Sequence, residues 1–172
     1  MSTALLLVIP SGRAQAPAPS EKQVKVAFLY NFAKFIDWPS EAFTNESSPF
    51  TIGILGDNPF GTLLEQMVAG RKINERPIRV QTFQADDPAI TNCHILFVSV
   101  SEKKHLGDIF QKLHGSSVLS VSDAEGFLAA GGMVSFVVVD GKIRFQINDR
   151  PAKAARLKIS AKLLSLAVPI SG

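Results

Sequence analysis

The feature that most constrains this chain is an alternation in which short β-prone runs are each followed, within a few residues, by a helix-starting signal. Phe50 to Leu55 runs into Gly56-Asp57-Asn58-Pro59, which offers a capping Asp or Asn and a proline for the first helical position. The helix so started ends at Gly70. A second strand is expected over Pro77 to Phe83 and a third, more apolar one over His94 to Val100, after which Ser101 caps a helix running to Leu113. Val118 to Val121 leads into Ser122-Asp123-Ala124-Glu125, an S-x-x-E capping box that predicts a short helix. Met133 to Val139 and Lys142 to Ile147 flank Asp140-Gly141, a pair suited to the positive φ of a type I′ turn, so these two strands should be antiparallel.

Helices frame the strands. Val24 to Trp38 repeats apolar residues at a helical period and Pro39 stops it; Phe28, Phe32 and Phe35 share one stripe, where three rings are best buried as core. Lys25 interrupts that stripe between Phe32 and Ile36, and near a first turn its ammonium is expected to snorkel to water. At the other end Asn148 and Asp149 cap a last helix with Pro151 in its first turn. Ala154, Leu157, Ala161 and Leu164 lie on one side of it, widened by Ile159, Leu163 and Leu166. Strands alternating with helices imply a three-layer, Rossmann-like α/β fold: a mostly parallel sheet with flanking helices and an antiparallel C-terminal hairpin.

The chain is 46% hydrophobic and 19% charged over 172 residues, which suits one packed domain and excludes a disordered chain. The longest fully apolar run, Ala4 to Pro10, is far short of the ~20 residues that span a bilayer. Eighteen Lys+Arg against 15 Asp+Glu leave a net charge of +3 with no basic stripe, so nucleic acid is a poor partner. Residues 1–18 have the look of a truncated signal peptide and linker. An apolar stretch from Ala4 to Ile9 precedes Ala14-Gln15-Ala16, whose small-x-small form suits signal peptidase, so export is expected; a disordered Ala/Pro/Ser-rich lead is the alternative. The domain is then expected over residues 22–168.

Signals for chemistry are weak. GILGDNPFG is not a dinucleotide fingerprint and no phosphate-binding Walker sequence occurs, so nucleotide cofactors are not expected. Cys93 stands alone and cannot close an intrachain disulfide; on an extended chain it faces away from His94, which excludes a dyad between them. His105 and His114 lack the i, i+4 spacing of a helical metal site, and no G-x-S-x-G elbow is present. A phosphoacceptor receiver would need an Asp where the third strand reads Val98-Ser99-Val100-Ser101. No catalytic residue, cofactor or metal is therefore assigned, and an enzyme is not expected. Ligands of open α/β sheets sit at the carboxyl ends of the strands, here Asp57, Asn58, Ser99, Ser101, Ser122 and Asp123; helix capping explains the same residues without a ligand. Tyr30, Trp38 and Phe43 are candidate anchors for a protein partner, with core packing the equal alternative.

Six stretches in order, VKVAFLYNFAKFIDWP (24–39), ILGDNPFG (54–61), CHILFVSVSE (93–102), VLSVSDAEGF (118–127), GGMVSFVVVDGKIRFQIN (131–148) and LKISAKLLSLA (157–167), resemble the YfiR-like family over nearly the whole mature chain. The resemblance implies a small exported bacterial protein that is not an enzyme. The best-known member represses an inner-membrane diguanylate cyclase from the periplasm by binding its periplasmic domain, which holds down cyclic-di-GMP. It also implies that some relatives carry a cysteine about where Gly53 stands, within disulfide reach of the Cys93 position, a pairing for which this chain has no second thiol. The expected partner is thus the periplasmic domain of such a cyclase. The alternative is a periplasmic small-molecule binding protein serving a sensor kinase or another receptor, and a homodimer is open in either case.

Overall fold

The computed structural model describes residues 15–170. Met1 to Ala14, and with them most of the expected signal peptide, lie outside the described residues. Among these residues nine strands and five α-helices follow, besides three short 3-10 turns, in the order α1 (Glu21–Phe35), β1 (Ile36–Asp37), β2 (Phe50–Leu55), α2 (Leu63–Val68), β3 (Lys72–Ile73), β4 (Arg76–Phe83), β5 (Ile95–Val98), α3 (Leu106–Leu113), β6 (Leu119–Ser122), β7 (Val134–Val139), β8 (Lys142–Ile147), α4 (Asp149–Ala154), β9 (Lys158–Ile159) and α5 (Ala161–Leu166). Seven strands form one sheet in the order β3-β4-β2-β5-β6-β7-β8, while β1 and β9 pair apart from it. The five strands from β4 to β7 are parallel, and β3 and β8 close the edges antiparallel. This is the expected α/β architecture.

Alternation along the strands makes the three layers. In β5, Ile95 and Phe97 enter a core shared with Leu29 and Phe32 of α1 and Leu64 of α2, whereas Leu96 and Val98 point into a second core with Ile109 and Leu113 of α3. Of the three stripe phenylalanines only Phe32 is fully buried, and it and Phe28 each meet Phe145 edge-on at 5.1 Å between centroids. Phe28 and Phe35 are both half-buried against the same core, Phe35 with its ring under lysine. At the far edge Asp140 (φ 50°) and Gly141 (φ 70°) form the two-residue turn their positive φ favours.

Four local expectations are corrected by tertiary contacts. Lys25 does not snorkel: it is buried at 7% exposure and ion-paired to Asp123 at 2.7 Å and to Glu21. The capping box at Ser122 starts no helix, because the Ser122 hydroxyl donates to Val98 O at 2.6 Å and accepts from Ala124 N, after which the chain runs in turns. Ser99, not Ser101, caps the turn leading to α3, its hydroxyl accepting from Ser101 N. The last helix is broken in two. After α4, Arg156 N donates to Lys153 O at 2.9 Å and Leu157 N to Ala152 O at 3.0 Å, the paired closure of a Schellman motif, with Arg156 in the left-handed conformation at φ 61°. The chain then extends as β9 against β1, with Ile159 opposite Ile36, before Ser160 caps α5.

Candidate functional site

The six polar candidates do gather at the carboxyl end of the sheet, but most of their hydrogen bonding is local. Asn58 accepts from Phe60 N and donates to Gly61 O, Asp57 N donates to the Ser101 hydroxyl at 3.1 Å, and Ser122 bridges Val98 and Ala124. Asp123 is the exception. It holds Lys25, which α1 carries across this end of the sheet to border a 430 Å³ cavity with Phe60. Burial alone would lower the Lys25 ammonium, yet the hydrogen bonds and charges of Asp123 and Glu21 outweigh it and hold its pKa above the ordinary lysine value. The position where an open α/β sheet ordinarily receives its ligand is thus occupied by a lysine of the chain itself.

The three aromatic candidates separate. Trp38 and Phe43 converge on His94, which the sequence brought up only as an excluded dyad partner for Cys93. The His94 imidazole lies between the rings of Phe43 and Phe50, stacked at 4.4 and 4.7 Å between centroids, and the guanidinium of Arg76 covers Phe43 at 3.9 Å. Trp38 Nε1 donates to His94 O at 3.1 Å, and its ring meets Phe50 edge-on. His94 Nδ1 accepts from Thr51 N at 3.0 Å, so the ring proton sits on Nε2 and donates to Ala42 O. Burial pushes this imidazole down to about 4, with the Arg76 charge acting in the same direction against the Ala42 hydrogen bond. Neutral His94 therefore pins the segment after β1 to the amino ends of β2 and β5.

Tyr30 lies elsewhere, half-buried on α1. Arg71 and Lys34 stand over its ring at 5.0 and 5.5 Å, and Lys34 and Lys162 stand over Phe35 at 5.7 and 5.0 Å. Two rings and three exposed cations thus make one surface patch from α1, α5 and the turn before β3.

Beside the His94 cluster opens a 490 Å³ cavity at the amino ends of the strands. Its walls carry Arg79 from β4, Arg156 from the Schellman turn, Glu41, and hydroxyls that include Thr51 and Ser117. Glu41 is held below the usual carboxylate range by its own backbone N–H, the Ser40 hydroxyl and the charge of Arg156. Neither Arg79 nor Arg156 takes part in an ion pair among the described residues. The Ser117 hydroxyl is buried with no hydrogen-bond partner among them. Five separate segments build these walls with no local motif, which is why sequence reasoning missed them; Arg156, at a position where glycine costs least, was the one local signal.

Cys93 is buried beneath Gly53, its thiol donating to Ile90 O and pushed up to about 12 by burial, so it packs rather than reacts. Among the described residues no group of three His, Cys, Asp or Glu side chains could hold a metal, and no helix is long and apolar enough to cross a membrane. Residues 22–168 match the family model described as YfiR/HmsC-like.

Proposed function

The chain belongs to the YfiR/HmsC-like family, and from that premise we propose that it is a periplasmic regulator that docks on, and restrains, the periplasmic domain of an inner-membrane diguanylate cyclase. Membership supports a periplasmic, regulatory rather than catalytic role in general. The match over residues 22–168 is the observation that carries the reading. The Tyr30 patch supports it physically. An aromatic flanked by cations is the kind of anchor that dominates interface energetics, and the charges of Lys34, Arg71 and Lys162 suit an acidic face on the partner. Docking that favours the inactive arrangement of the cyclase lowers its output by population shift, to the extent of the differential affinity for the two states.

Epistasis tests this reading. Deleting the gene should raise cyclic-di-GMP only while the cyclase is present, and tagged mature protein should recover that cyclase from membranes. Tyr30→Ala or Arg71→Glu should mimic the deletion with melting temperature nearly unchanged. Unchanged cyclic-di-GMP in the deletion strain, with no membrane partner recovered, would sink the proposal.

A further inference from the structure

We propose that the cavity at the amino ends of the strands is a binding site for a small oxyanion, a carboxylate or phosphoryl group held between Arg79 and Arg156. The site is independent of the docking reading and shares no residue with the Tyr30 patch.

Three independent observations carry it. The charge is unbalanced: two guanidinium groups line the cavity against one carboxylate, Glu41, while the adjacent imidazole of His94 is neutral. Arg76 cannot supply the same service, because its guanidinium already donates to Asn45 O, Ser48 O and the Ser48 hydroxyl. Arg79 and Arg156 are exposed and outside any ion pair among the described residues, and such guanidinium groups match planar or tetrahedral oxyanions through paired N–H donors. Second, Ser117 stands in the same wall with a hydroxyl that no group among the described residues bonds, and a side-chain rotation toward the cavity would give that hydroxyl a partner there. Third, Arg156 occupies the one position of the Schellman turn where glycine is favoured, at φ 61°. Placing a long cation there sacrifices backbone comfort, and what it gains is a guanidinium in the cavity wall. At 490 Å³ the cavity is the size of an ordinary small-ligand pocket. Its hydroxyl-bearing walls select a hydrophilic ligand over an apolar one.

Arg156→Gly separates this role from a structural one. Glycine relieves the left-handed backbone, so the variant should melt at a higher temperature than the wild type in plain buffer, yet lose the ligand. The probes are citrate and inorganic phosphate, titrated against the full chain by isothermal calorimetry and by thermal melting. Saturable binding is expected with a dissociation constant below about 1 mM, weakened about ten- to a hundred-fold in Arg156→Gly and in Arg79→Ala. Arg144→Ala on the exposed face of β8 should bind as the wild type does. A preference for citrate assigns a carboxylate ligand, and a preference for phosphate assigns a phosphoryl one. Both anions also stabilise proteins by exclusion from the surface. Melting shifts that persist undiminished in the two arginine variants, or no saturable heat with either probe, would overturn the proposal whatever becomes of the cyclase reading.

Discussion

Acid should loosen this protein through His94 before general acid unfolding sets in. The imidazole is neutral because Nδ1 already accepts from Thr51 N and the ring is packed between Phe43 and Phe50 at 4% exposure. Protonating Nδ1 would break that bond and bury a cation beside Arg76. The folded value of about 4 lies below the ordinary 6.5, so the unfolded chain binds the proton first. Stability from this group is therefore fully present above pH 6.5 and is lost as pH falls toward 4. Between those two values each pH step of one costs about 1.4 kcal/mol, so the loss is about 2 kcal/mol by pH 5 and about 3 kcal/mol by pH 4. With a urea slope of about 2 kcal/mol per molar, the midpoint should drop by about 1 M between pH 7 and pH 5. Carboxylates elsewhere also titrate in this range, so the measurement is a comparison with His94→Gln across pH 4 to 8. Glutamine can accept from Thr51 and donate to Ala42 but takes no proton. The stability gap between the two proteins should narrow by about 2 kcal/mol from pH 7 to pH 5. Parallel curves would refute the assignment of a buried neutral imidazole.

Three further outcomes follow from the packing. Gly53→Cys should form a disulfide with Cys93 under oxidation, because a Cβ built at Gly53 lies 3.1 Å from Cys93 Sγ, close to the ~3 Å that a disulfide sets between those atoms. Closing that loop is worth about 4 kcal/mol before the crowding of Phe83, which the new Cβ meets at 2.7 Å, so the melting temperature should become reductant-dependent; free thiols that stay titratable after oxidation would contradict this. Lys25→Met should cost about 2 kcal/mol by leaving Asp123 without its partner, and adding Asp123→Asn should restore most of it, as urea unfolding of a double-mutant cycle will read. Trp38→Ala should cost about 3 kcal/mol, since its ring packs on Phe50 and its Nε1 holds His94 O, whereas Tyr30→Ala, under exposed cations and with no such hydrogen bond, should cost less than about 1 kcal/mol; equal costs would mean that the fold relies on Tyr30 as much as on Trp38.

What the sequence made legible was local. The Asp140-Gly141 turn needs only its own two residues, and the short apolar runs of β2 and β5 need only the strand. What it concealed depends on residues far along the chain. Lys25 reads as a break in an apolar stripe until Asp123 arrives to pair it. Leu157 to Ile159 reads as helix until Ile36 and Asp37 offer a strand to pair with, and the S-x-x-E box fails because Val98 O claims the serine. Asn74 and Glu75 form a second turn with both φ values positive, between β3 and β4, which glutamate does not advertise. The carboxyl-end candidates were found by a rule of topology. The amino-end cavity obeys no such rule, because its arginines come from β4 and from the turn after α4.

The first helix joins these parts. Fifteen helical residues span about 22 Å, slightly more than the ~20 Å of a six-residue strand, so α1 can cross the sheet from end to end. It is fastened at both ends: Lys25 binds Asp123 at the carboxyl end, and past its last turn Trp38 binds His94 O at the amino end. Between the two lie Leu29 and Phe32 in the core and Tyr30 on the outer side. A helix so fixed presents Tyr30 with little freedom to lose, and a surface ordered before contact keeps more of its interaction energy as affinity. The two anchors can then be tested apart from the ring itself. Lys25→Met frees the end of α1 without touching the patch, so it should weaken partner binding less than Tyr30→Ala does while costing more stability. Should Lys25→Met abolish binding while Tyr30→Ala leaves it intact, the partner would be reading the carboxyl end of the sheet and the docking face would have to be moved there.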